Sequence, residues 1–174
     1  MILGAYLSVA GHTQTGSVAA WDAAQAAAIV ASFAGQEGAT LPILHALQSA
    51  FGHVPREAEA IVADALNLSK AELRGVVSFY HDFRAAPPGR HVLKLCKAEA
   101  CQSVGALALA ERLLARLGVA WGGTTADGAL TIEPVYCLGL CACGPAGLLD
   151  NEPLARLDDA ALADIARDAR VAAA

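Results

Sequence analysis

All five cysteines of this 174-residue chain lie after position 95, as Cys96-x4-Cys101, then 35 intervening residues, then Cys137-x3-Cys141, with Cys143 two positions further on. An odd, clustered set of this kind, in a chain without secretory features, points away from a disulfide framework and toward metal or redox chemistry. Whatever the chain folds into has to bring two distant cysteine pairs to one place. Buried structural thiols are the plain alternative, but two pairs with a fifth thiol beside them, flanked by Gly139 and Gly144, would fill a core poorly.

The rest of the composition narrows the field. The apolar fraction of 56% and mean hydropathy of +0.45 look membrane-like until the 41 alanines are counted, since methyl groups carry little transfer energy. The longest stretch without Lys, Arg, Asp or Glu, Met1 to Trp21, holds His12, Gln14, two Thr and three Gly, so it predicts no spanning helix. The first basic residue is Arg56, which leaves no positively charged n-region for a secretory signal, and a cytoplasmic protein is expected. A net charge of -5 argues against a nucleic-acid or anionic-membrane surface, since both need clustered Lys and Arg, and without a spanning segment no direct membrane insertion is expected. Residues 56 to 97 carry seven basic and five acidic side chains, whereas 98 to 174 carry five and ten, an asymmetry a docking partner could use.

Two textures divide the chain. Residues 1–20 have no clear period and read as an amino-terminal arm. From 21 to 84 the apolar spacing is helical: an alanine-rich helix over Ala23–Phe33, a second over Leu41–Phe51, a third over Glu57–Leu66, and a fourth opened by a Ser69-x-x-Glu72 capping box. This half predicts a small helical bundle. Ala85-Ala-Pro-Pro-Gly-Arg90 is a punctuated linker, because two prolines and a glycine neither continue a helix nor supply ladder donors. Beyond it, residues 91–174 predict a strand at His91–Cys96, a helix at Val104–Leu117 ended by Gly118, a strand at Ala129–Val135, a hairpin turning at Asp150-Asn151 and a closing helix capped by Asp158. The fold class expected is α+β: a helical bundle followed by an α/β domain with a four-stranded mixed sheet.

Each cysteine pair follows a predicted strand, and neighbouring loops at one sheet end would join four thiolates. Such a set suits a tetrahedral zinc or a 2Fe-2S cluster. Zinc ribbons favour two-residue knuckles, whereas gaps of four and three residues open wider loops, so the spacing favours two irons, and a zinc-stabilised interaction module stands as the alternative. No histidine lies at ligand spacing for Rieske-type ligation, and no Cys-x-x-Cys supports thiol-disulfide chemistry. Gly139 and Gly144 either let backbone N-H groups approach the sulfurs or serve turn geometry alone, and Cys101 is expected just ahead of a helix starting near Ser103 or Val104. Lys94 is expected to face solvent, and Lys97 to offset part of the cluster's charge. Phe79-Tyr80 reads first as core packing, with partner contact as the second reading; His45 and His53 read as ordinary surface or core side chains, and Trp21 and Trp121 carry no assignment. A poorly solvated four-thiolate 2Fe-2S centre has a low potential, on the order of -400 mV, which suits flavin or nicotinamide chemistry. The chain has no GxGxxG after a strand and no Walker-type loop.

The runs LPILHALQSAFGHVP, ALNLSKAELRGVVSFYHDF, CKAEACQSVGA and TTADGALTIEPVYCLGLC with the downstream GPA give the chain, over roughly residues 25–170, a resemblance to the thioredoxin-like 2Fe-2S subunit that accompanies the NADH-binding flavoprotein of respiratory complex I. Within that family, CKAEACQSVGA and CLGLCACGPA most resemble the gamma subunit of soluble, molybdenum-containing, NAD-dependent formate dehydrogenases, and bidirectional hydrogenase diaphorase subunits are similar as well. The resemblance implies a thioredoxin-like second domain. It implies cluster ligation by Cys96, Cys101, Cys137 and Cys141, with Cys143 free. It also implies a non-catalytic electron-transfer role beside a flavoprotein that holds FMN and binds NAD, and beside a subunit with a molybdenum cofactor.

Overall fold

The computed structural model describes residues 20–171. The expected arm at 1–20 lies outside the described residues except for Ala20. Four helices come first: α1 (Ala23–Ala31), α2 (Thr40–Phe51), α3 (Arg56–Leu66) and α4 (Lys70–Phe79). Their starts and stops follow local chemistry. The Asp22 carboxylate accepts from the N-H of Ala24 at 2.8 Å and caps α1. Gly52 ends α2 in the left-handed region, at φ 73°. The Ser69-Glu72 capping box is present in both directions, with Ser69 N-H donating to Glu72 at 2.8 Å and Glu72 N-H donating back to Ser69 at 3.2 Å. Ile43, Leu44, Leu47, Phe51, Val62 and Leu73 close the core of this half.

The second half runs β1 (His91–Cys96), α5 (Glu99–Ser103), α6 (Ala106–Leu117), β2 (Leu130–Val135), a 3-10 turn (Cys141–Cys143), β3 (Gly147–Leu149), β4 (Glu152–Leu154) and α7 (Asp159–Val171). The sheet order is β2-β1-β3-β4, with β1 and β2 parallel and the remaining pairs antiparallel. The architecture is thus α+β, with a four-stranded mixed sheet following the helical half. A second core forms where α6 and α7 pack on the sheet through Leu93, Leu109, Leu113, Leu130, Ile132 and Leu162. Asp150 and Asn151, at φ 50° and 72°, make the tight turn between β3 and β4. Asp158 caps α7 by accepting from Ala161 N-H at 2.8 Å.

Three expectations change. The helix expected over Val104–Leu117 starts two residues later, as α6, because Gly105 at φ 88° stands at its N-cap, and a separate, unexpected short helix, α5, forms ahead of it. Phe79 is not core packing: it is 73% exposed, and Tyr80 is exposed beside it, with the two rings in edge contact at 5.1 Å. Lys94 is not free in solvent, since its ammonium reaches Glu133 on β2 at 3.9 Å. The unassigned tryptophans acquire partners: Trp21 packs on Phe51 at 5.3 Å between centroids, and Trp121 lies under the Lys97 ammonium at 4.8 Å. The two histidines also pack ordinarily, His45 against the Phe83 ring and His53 against the Phe51 carbonyl at 2.8 Å.

Candidate metal centre

Parallel pairing of β1 with β2 sets Cys96 opposite Val135, so the chain leaving each strand emerges at the same end of the sheet. Lys97 N-H still donates to Val135 at 2.8 Å, holding the two exits together. Cys96 is the last residue of β1, and Cys101 sits within α5, one turn past the strand; both are 3% exposed. The expected placement of Cys101 ahead of a helix is therefore corrected: the short helix begins at Glu99 and contains it. Cys137 follows β2 in the left-handed conformation at φ 61°, and Cys141 opens the 3-10 turn; both thiols are exposed, with sulfurs 4.0 Å apart. Cys143 ends that turn half-buried, its carbonyl accepting from Arg156 N-H at 2.8 Å.

The thiols thus stand as two pairs, a buried one and an exposed one. The Cys96 thiol raises that of Cys101, and Cys141 feels the charge of Cys96 as well as that of Cys137. Among the described residues, no three His, Cys, Asp or Glu side chains are gathered closely enough to hold a single ion.

The electrostatics of the pairs differ. Burial pushes the Cys96 thiol up, but hydrogen bonds from the backbone N-H groups of Ala98, Cys137 and Leu138, with one from Cys101, outweigh it and leave the thiol below its ordinary value. Cys101 is pushed up by burial and by the Cys96 thiol, against one N-H from Ala146. Cys141 is pushed up by the adjacent Cys137 thiol. Crowded thiols resist ionising together unless a cation sits among them, and iron deprotonates coordinating thiols outright. The donor set therefore fits an iron-sulfur cluster, which when bound supplies a one-electron couple.

Of the two readings of the glycines, turn geometry describes Gly139, which stands in the left-handed region at φ 76°. The N-H groups that favour the Cys96 and Cys101 thiolates are those of Ala98, Cys137, Leu138 and Ala146. Gly144 contributes room instead, because a Cβ there would lie 3.4 Å from the Cys101 sulfur and 3.1 Å from Val104. Lys97 is engaged over Trp121, and no spacing rule marked Ala98 or Leu138 in advance.

Two cysteine pairs at one end of a mixed sheet, in a chain that matches a 2Fe-2S family, place it in the class of iron-sulfur electron carriers. The chain belongs to the thioredoxin-like [2Fe-2S] ferredoxin family, whose model matches residues 26–170, and its cofactor is a 2Fe-2S cluster. It is 36% identical over 110 residues to the HndA component of the NADP-reducing hydrogenase of Solidesulfovibrio fructosivorans, covering 63% of this chain and 64% of that one. It is 32% identical over 127 residues to a component of the NADH-quinone oxidoreductase of Escherichia coli K12, covering 73% of this chain and 76% of that one. Among solved structures it resembles NAD+-reducing [NiFe]-hydrogenase in the H2-reduced state, at 30% identity and a TM-score of 0.62 over 74% of this chain. The chain spans only 22% of that hydrogenase chain and 64% of HndA.

Proposed function

We propose that this chain is an electron-transfer subunit of a multi-subunit, NAD-linked oxidoreductase, holding one 2Fe-2S cluster on Cys96, Cys101, Cys137 and Cys141. The observation that carries the reading is the meeting of two cysteine pairs at one sheet end in a member of a 2Fe-2S family. The flavoprotein partner would hold FMN and bind NAD, turning a hydride's two electrons into single transfers that this chain accepts or returns. The chain would have no active site of its own. We divide it into a helical bundle at 21–84, a linker at 85–90 and the cluster domain at 91–174, a division supported by the separate apolar cores on either side.

The particular complex we propose is a cytoplasmic NAD-dependent formate dehydrogenase with a molybdenum-containing catalytic subunit, supported by the loops CKAEACQSVGA and CLGLCACGPA. Among the described residues, no helix is long and apolar enough to cross a membrane. A second reading, favoured by the relatives named above, is the equivalent subunit of an NADH-quinone oxidoreductase or a hydrogenase. Mild affinity purification from the native host separates the two. Co-purification of a flavoprotein and a molybdenum protein supports formate dehydrogenase; membrane quinone-reductase or hydrogenase subunits in their place overturn that assignment. Purified protein that is colourless with stoichiometric zinc would defeat the electron-transfer reading altogether.

A further inference from the structure

Cys137 and Cys141 sit on a loop that brings them face to face. Cys137 at φ 61° and Gly139 at φ 76° curl the chain back on itself, and the two sulfurs end 4.0 Å apart. Both residues are exposed, and a Cβ on Gly139 would meet nothing within 4 Å, so the middle of the loop stands in open space. The other thiols are placed differently. Cys96 and Cys101 are buried among Ala106 and Ala146, out of reach of a dissolved oxidant. Cys143 is half-buried, and it lies two positions from Cys141 on a 3-10 turn, where three residues per circuit send the two side chains off about 120° apart.

A disulfide needs sulfurs about 2.05 Å apart. Closing the remaining gap takes a turn of two exposed side chains on a short loop, whose closure costs little chain entropy. We propose that Cys137 and Cys141 form a reversible disulfide before the cluster is inserted and the partner docks, with a small disulfide of the glutathione class as the oxidant. One thiolate attacks glutathione disulfide, forms a mixed disulfide and releases one glutathione; the second thiolate attacks that mixed disulfide and releases the other. The S-S bond of the oxidant is broken and one within the chain is made. Two electrons pass from the cysteines to glutathione, and the two thiol hydrogens end on the two glutathione molecules. Because the second thiol already stands 4.0 Å away, ring closure outruns a further external attack. This is a stoichiometric closure and not dithiol catalysis. It occupies two of the four ligands proposed above, so it holds off the cluster until a dithiol reductant reopens it, and only this consequence rests on that ligation.

The test uses the full chain, stripped of iron by a chelator under reducing conditions and then freed of reductant. It is treated with glutathione disulfide, alkylated with N-ethylmaleimide in denaturant and digested with trypsin for mass spectrometry. The peptide Leu117–Arg156 carries Cys137, Cys141 and Cys143. It is expected to lack two hydrogens and to hold one alkyl group, at Cys143, while Cys96 and Cys101 are alkylated in full. Alkylation of all five thiols, glutathione retained on one of them, or a bridge that includes Cys96, Cys101 or Cys143 would overturn the inference. Cys143→Ser should form the same bridge, and its loss in that variant would make Cys143 the true partner. Offered ferrous iron and sulfide, the bridged chain should take up no cluster, and dithiothreitol should restore the visible absorption and iron content of a sample never oxidised. A bridged chain that still gains two irons would overturn the exclusion of iron and with it the ligand assignment, a failure separate from that of the bridge.

Discussion

Arg84 and Glu133 form a two-point ion pair, with Nε donating to Oε1 at 2.6 Å and Nη2 to Oε2 at 2.9 Å, and it joins the end of the helical half to the strand that leads into Cys137. Both side chains are mostly buried, and Lys94 approaches the same carboxylate from β1. The guanidinium fork matches the carboxylate edge, which a lysine could not do with one ammonium. Nearby, the Gln48 side chain receives Arg84 N-H at 2.7 Å and donates to the Asp82 carbonyl at 2.7 Å, fixing the backbone that presents Arg84. Replacing one partner leaves the other charge half-buried and alone. Glu133→Gln is expected to cost about 1–3 kcal/mol. Scanning calorimetry should record a lower melting temperature, by roughly 2–4 °C per kcal/mol for a chain of this size. A melting temperature equal to the wild type would mean that the pair couples the two halves only weakly.

Two neighbouring glycines separate crowding at the metal centre from crowding in the sheet. A Cβ on Gly147 would stand 2.6 Å from the Lys94 carbonyl, a backbone atom fixed by β1-β3 pairing that cannot step aside. Gly147→Ala is expected to destabilise the fold by about 1–3 kcal/mol or more, with a lower urea midpoint. At Gly144 the tightest neighbour is the Val104 side chain at 3.1 Å, and Val104 is exposed and able to turn. Gly144→Ala should therefore change the urea midpoint less than Gly147→Ala while disturbing the visible spectrum of the cluster through contact with Cys101. Equal losses of stability in the two variants would contradict this division.

Surface carboxylates give the fold an acid limit. Asp127 is held below its usual range first by the Thr125 hydroxyl at 2.5 Å, then by Ala129 N-H at 3.0 Å and by Arg170. Asp159 is held low by the bidentate Arg112, at 2.8 and 3.0 Å. Because folding lowers these values, their contribution is complete above the unfolded aspartate pKa of about 3.9 and is lost as the pH falls through the still lower folded values. The stability advantage of the wild type over Asp127→Asn should thus be present at neutral pH and shrink in acid. Paired urea titrations at pH 7 and near pH 3 measure the difference, in which the acid sensitivity of the cluster itself cancels. An advantage that grows toward low pH would reverse the sign and refute the assignment.

What the amino-acid sequence discloses here is mostly what lies within one turn of a residue. The Ser69-Glu72 box, the Asp158 cap and the Asp150-Asn151 turn depend on contacts two or three positions apart, and each forms as expected. The meeting of Cys96 with Cys137 was legible for a different reason: two strand-loop junctions in one parallel pair must share an end. The left-handed Cys137, whose N-H and that of Leu138 favour the Cys96 thiolate, was not legible, because non-glycine residues seldom adopt that conformation and no composition marks it. Phe79 misled because aromatic side chains usually serve cores, and its exposure follows from α4 ending at that residue, before the chain turns Phe83 inward. Arg84 and Glu133 are 49 positions apart, a pairing that periodicity cannot encode.

The last prediction concerns the fifth thiol. Cys141 and Cys143 bracket one 3-10 turn, so either could in principle complete the exposed pair with Cys137. Geometry favours Cys141: its sulfur lies 4.0 Å from that of Cys137, and its thiol is exposed on the same side. Cys143 is half-buried, with its backbone tied to Leu140 at 2.9 Å and to Arg156 at 2.8 Å, and moving it into the ligand position would break those bonds. Cys143→Ser is therefore expected to keep two irons per chain, the visible absorption and the EPR signal of the reduced cluster. Cys141→Ser should lose most of that signal or shift it strongly, because a serine oxygen is a harder ligand than a thiolate. If the two variants exchange these behaviours, Cys143 is the fourth ligand and the loop after β2 holds the metal through a five-residue gap.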